Sequence, residues 1–109
     1  MISFDDLVAA MPALERSDLE IWIREELVVP RPEAGKLLFT DMDCARVRLI
    51  CTLHYALEID AGTLPVVLSL VDQLYDTRQR LLSLTAAVTA QDKNVQTAIL
   101  AAMSRMAGN

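Results

Sequence analysis

Apolar side chains recur along most of this chain at three- and four-residue intervals, a spacing that predicts a succession of amphipathic helices. Ser3 stands before "FDDLVAAM" as an N-cap, with Asp5 and Asp6 in the first turn, where the helix dipole favours anions. A second helix follows in "SDLEIWIREEL", capped by Ser17 and carrying Leu19, Trp22, Ile23 and Leu27 at helical spacing. Pro30 and Pro32 end it. "VVPRPEAGKLLFT" then reads as two short extended runs around Glu33, Ala34 and Gly35, a hairpin whose prolines suit an edge strand.

Asp41 is the expected cap of a third helix over "MDCARVRLICTLHYALE", in which Met42, Ala45, Leu49, Leu53 and Ala56 mark one face. "IDAGT" interrupts the pattern, and Asp60 or Thr63 caps a fourth helix with Pro65 in its first turns. Within it Leu70, Leu74, Thr77, Leu81, Leu84 and Val88 alternate by four and three, a seam that asks for a partner helix. "TAQDKN" breaks that seam, and a restart at Asp92 or Asn94 leads into "VQTAILAAMSRMA", where Val95, Ile99, Met103 and Met106 form another apolar face. The expected layout is residues 1–62 followed by the long helix and helical tail of residues 63–109, as one structural unit.

Composition narrows the class. With 109 residues, 53% hydrophobic, 23% charged, three glycines and four prolines, the chain fits one folded, mainly α domain. No window reaches the roughly 18 uninterrupted apolar residues of a membrane span. "MISFDDLVAA" places acids where a signal peptide needs bases, so a cytoplasmic protein is expected. Two cysteines suit a reducing compartment. On one helix Cys44 and Cys51 stand about 10 Å apart by the helical rise, too far for a disulfide.

Charge is distributed unevenly. Residues 1–33 hold eight acids and three bases, while residues 34–109 hold seven of each, so the whole net charge of −5 lies in the first third. A groove-reading helix must neutralise phosphates with lysine, arginine or a helix N-terminus. The second helix instead carries Asp18, Glu20, Glu25 and Glu26 against Arg24.

The order of helix, helix, two-stranded wing, helix and long leucine-rich helix resembles MerR-type winged helix-turn-helix proteins. "EELVVPRP", "LLFTDMDCARVRLICTLHYALEID" and "LPVVLSLVDQL" are similar, more narrowly, to the chaperone-modulator family typified by CbpM, over roughly Ser3 to Leu82. The resemblance implies a protein that binds the J-domain of a DnaJ-like co-chaperone and keeps it from stimulating Hsp70. A MerR-type DNA-binding regulator is the alternative. The tail, about Thr85 to Asn109, departs from the family pattern.

J-domains, by that resemblance, present a basic helix, and acid against base favours fast, specific association. Asp18, Ile21 and Glu25 fall on a helix face turned away from the Leu19–Ile23–Leu27 stripe. They are the candidate partner contacts, with Trp22 and Arg24 beside them. Ile21 is either an anchor with a polar rim or the edge of the core, and Trp22 borders the core stripe. No catalytic constellation, cofactor motif or metal site is read. Cys51 and His54 lack further ligands within reach, and "DMD" at 41–43 sits where a cap belongs. A homodimer through the leucine seam is expected, the alternative being a tail that folds back to cover it.

Overall fold

A computed structural model describes residues 1–108. It is mainly helical, with a small three-stranded antiparallel sheet and one long helix: β1 (Ile2–Ser3), α1 (Phe4–Ala10), α2 (Arg16–Arg24), β2 (Arg31–Glu33), β3 (Lys36–Phe39), α3 (Asp41–Cys51), a π-helical turn (Thr52–Ala56), α4 (Leu64–Thr89) and α5 (Lys93–Ala107). Two compact units result, Met1–Ser69 and a second beginning at Leu70. The boundary falls inside α4 rather than at residue 62, because Leu64 and Leu68 are fully buried in the first unit's core.

The expected hairpin forms, but the sheet holds a third strand. Its order is β1-β3-β2, with Ile2 opposite Phe39 and Arg31 opposite Leu38. β1 is two residues long, too short for any period to announce it, and pairing with β3 protects what would be an open strand edge. Pro32 lies on β2, an outer strand, where a missing ladder donor costs little. Ala34 and Gly35 close the hairpin with φ of 49° and 76°, the left-handed pair that a two-residue turn requires.

Leu7, Leu19, Trp22, Val28, Phe39, Val47, Ile50 and Leu64 are the heart of the core. In α3 the buried positions are Cys44, Val47 and Ile50, followed by Leu53 in the π turn, whereas Met42, Ala45 and Ala56 face outward. The third helix therefore uses a different face from the one its spacing suggested. Its cap is Thr40 and not Asp41. Thr40 Oγ1 accepts from the Asp43 N–H at 3.1 Å while Asp43 Oδ2 accepts from the Thr40 N–H at 2.9 Å, a reciprocal capping box. Ser3 caps α1 through the Asp6 N–H, as expected.

α2 begins at Arg16 after an N-cap at Glu15, without a Ser17 cap, and stops at Arg24 instead of reaching Leu27. The stop is a Schellman turn. Leu27 N–H donates to the Trp22 carbonyl at 2.8 Å and Glu26 N–H to the Ile23 carbonyl at 3.0 Å, with Glu26 left-handed at φ 61°. This turn sends Leu27 back into the core, where both it and Trp22 are buried. A side chain at Glu26 works against that backbone. Glu26→Gly is accordingly expected to stabilise the chain by about 0.5–1 kcal/mol, after subtracting the greater unfolded-state freedom of glycine. An unchanged or lower urea midpoint would contradict it.

In the second unit α4 ends at Thr89 and Asp92 restarts the chain, its carboxylate accepting from the Val95 N–H at 3.0 Å. Gln96 Nε2 braces the link by donating to the carbonyls of Gln91 at 2.8 Å and Thr89 at 3.3 Å. Leu81, Leu84 and Val88 of α4 and Ile99, Leu100 and Met103 of α5 line an apolar groove of about 480 Å³. The tail does not cover the seam, since Leu70, Leu74, Leu81 and Leu84 all remain exposed. Among the described residues no helix is long and apolar enough to cross a membrane.

Candidate functional site

The N-terminal turn of α2 is held by a side chain from far along the chain. Tyr55, in the π turn, accepts from the Glu15 N–H at 3.1 Å and donates its hydroxyl proton to Asp18 Oδ2 at 2.6 Å. One hydroxyl thus takes a donor from the cap residue that α2 leaves without a side-chain cap, and supplies one to the first-turn carboxylate. Burial, followed by the Asp18 hydrogen bond, pushes the Tyr55 pKa well above its ordinary value. Asp18 is consequently half-buried and engaged, not the free surface acid that its helical position suggested.

Trp22 is 2% exposed and belongs to the core, so it has no face to offer a partner. Its ring lies 6.3 Å from His54, edge-on, and 6.1 Å from Tyr55. His54 Nδ1 lies 2.7 Å from the Ile59 carbonyl. Because a carbonyl only accepts, Nδ1 carries the proton, and the ring closes the turn that follows the π segment. Cys51 is half-buried, and desolvation first, then the Asp18 charge, holds its thiol protonated at neutral pH.

What remains outward on α2 is a compact acidic surface. Glu20, Glu25 and Glu26 are exposed, as is Arg24, and Ile21 sits among them at 36% exposure. The helix C-terminus adds the partial negative charge of its last carbonyls beside Glu25 and Glu26. Two of the nearby bases are engaged within the fold. Arg16 pairs with Asp5 at 2.6 Å and stacks 5.0 Å from the Phe4 ring centre, and Arg46 donates to the Leu27 carbonyl. Arg31 and Lys36 of the hairpin are exposed.

The structure therefore groups Ile21, Arg24 and Glu25 as predicted surface residues and removes Asp18 and Trp22 from that group. In the stretch that follows α2, Val29 is 69% exposed between the buried Val28 and Pro30. Val29 lies in the irregular stretch after α2, where no period says which of two adjacent valines turns outward. No family model, curated protein or solved structure matches this chain.

Proposed function

We propose that this chain is a CbpM-like chaperone modulator, a MerR-like winged helix-turn-helix variant that binds the J-domain of a DnaJ-like co-chaperone and restrains its stimulation of Hsp70. The order of α1, α2, hairpin, α3 and long α4 supports the winged reading, with β2 and β3 as the wing and β1 as an added edge. One observation carries the choice of partner: Ile21 is exposed on a short helix whose exposed charges at and just beyond its end, Glu20, Glu25 and Glu26 against Arg24, are acidic in excess, with Arg16 already paired to Asp5. Such a surface repels phosphates and attracts a basic helix. The protein acts by occupation of that helix, and needs neither catalytic group nor cofactor.

The test is titration of a purified J-domain into the full chain and its variants. Glu20→Lys together with Glu25→Lys should slow association roughly tenfold or more and steepen nothing in the melting curve, both side chains being exposed. Ile21→Ala should cost about 1–2 kcal/mol, or roughly 5- to 30-fold in affinity. Asp72→Lys with Asp76→Lys on α4 is the control of equal charge change. Should the control pair abolish the complex while the α2 variants bind normally, the interface lies on α4. A salt-sensitive footprint on duplex DNA would replace this reading with the transcriptional one.

A further inference from the structure

We infer that the groove between α4 and α5 is a binding site for a single-chain anionic amphiphile, a long-chain carboxylate whose hydrocarbon lies along Leu81, Leu84, Val88 and Leu100 and whose head meets Arg78. The inference stands apart from the J-domain reading, which concerns α2.

The lining determines what can be buried. Leu81, Leu84, Val88, Ile99, Leu100 and Met103 face the groove together with Thr85 and Thr89. Both hydroxyl protons are already used: Thr85 Oγ1 donates to the Leu81 carbonyl and Thr89 Oγ1 to the Thr85 carbonyl, each at 2.8 Å. The walls therefore offer lone pairs but no side-chain donor, and an anionic group placed inside would lose its hydration without a partner. A hydrocarbon chain suffers no such loss. From Leu81 to Thr89 the helical rise gives a channel about 12 Å long, and its volume of about 480 Å³ lies within the roughly 300–1,000 Å³ of small-molecule sites.

Charge then determines the head. Residues 1–76 hold fourteen acids and six bases, a net −8, whereas residues 77–109 hold one acid and four bases, a net +3. That one acid, Asp92, caps α5. Arg78 stands three residues before Leu81 and so borders the end of the groove away from the α4–α5 link. Its neighbours three and four residues away are Leu74, Tyr75, Leu81 and Leu82, none of which offsets its charge, whereas Arg80 has Asp76 one turn before it. A guanidinium beside an apolar channel suits a carboxylate, which its fork can hold through two parallel hydrogen bonds. At the link, Lys93 directly follows Asp92 and Gln96 spans the turn through the Thr89 and Gln91 carbonyls, so the head lies at the Arg78 end.

Size separates this occupant from larger ones. A protein partner covers roughly 20–30 residues a side, and eight described residues line the groove. A bilayer takes up apolar side chains that project from one outward face of a helix; here they wall a channel between two helices.

Titration calorimetry of the full chain with octanoate, decanoate and dodecanoate, kept below micelle formation, tests this. One carboxylate should bind per chain. Full burial of a methylene is worth about fourfold in affinity, so roughly twofold per added methylene is expected where Leu81, Leu84, Leu100 and Met103 are 58–61% exposed. Arg78→Gln should weaken decanoate roughly 2- to 5-fold, as for an exposed ion pair, and leave decanol unchanged. Arg80→Gln, an equal change of charge, should have no effect. Leu84→Gln with Leu100→Gln should cost roughly tenfold or more, with circular dichroism checking that the helices persist. Decyltrimethylammonium should bind more weakly than decanoate. The inference is overturned by the absence of saturable binding, by affinity that ignores chain length, or by Arg80→Gln weakening decanoate as much as Arg78→Gln. It is overturned equally if only anionic vesicles or an acidic amphipathic peptide bind, or if sedimentation shows a second copy closing the groove to carboxylates.

Discussion

Trp22→Ala is expected to remove about 3–5 kcal/mol of folding free energy, the usual cost of emptying a buried aromatic site. Trp22 is 2% exposed, its ring packs against His54 and Tyr55, and the Schellman turn places Leu27 over the same end of α2. Small domains hold only about 5–15 kcal/mol in total, so the variant loses a large part of its stability. Urea unfolding of the wild type, Trp22→Phe and Trp22→Ala measures this, with the phenylalanine variant retaining an intermediate value. On the proposed function, J-domain affinity should then fall only in proportion to the folded fraction. A Trp22→Ala variant that melts like the wild type would contradict its place in the core.

Tyr55→Phe should cost about 1.5–2 kcal/mol, the low end for a hydrogen bond to a charged group, since Asp18 is half-exposed and screened by water. The Glu15 N–H loses its acceptor in the same step. This variant also carries a pH signature. Folding raises the Tyr55 pKa above its ordinary 10.0, so the stabilisation is fully present below pH 10 and is lost as pH climbs beyond it. Burial raises Cys44 and Cys51 above 9.0 in the same sense, so the alkaline decline starts with the thiols and steepens with the phenol. Denaturant titrations from pH 8 to about 11 should show a shallower decline above pH 10 in Tyr55→Phe. Equal slopes in the two proteins would mean that the hydroxyl is no better protected in the fold than in the unfolded chain.

Asp18 matters to both tests. Its helical position alone put it on the surface with Ile21 and Glu25, and the partner that withdraws it is 37 residues away. A charge reversal at Asp18 would therefore break the Tyr55 bridge and confound any binding experiment, whereas Glu20 and Glu25 are clean choices. In the same way, the apolar face that spacing marked on α3 is not the one the fold buries. Met42, Ala45 and Leu49 share one spacing; Cys44, Val47 and Ile50 share another, and burial falls on the second.

By itself the sequence determined what local physics controls. The Ser3 cap, the turn at Ala34 and Gly35, the prolines on an outer strand and a restart at Asp92 or Asn94 depend on residues within a few positions of one another. The excess of acid in the first third is equally a property of the list of residues. Tertiary structure decided the rest: that β1 pairs with β3, that Val29 turns out while Val28 turns in, that Tyr55 engages Asp18, and that α3 buries Cys44, Val47 and Ile50. Each of these choices was between local alternatives of nearly equal energy. Packing against distant partners separated them, because burying one more apolar side chain or satisfying one more buried polar group outweighs a few tenths of a kcal/mol of local preference.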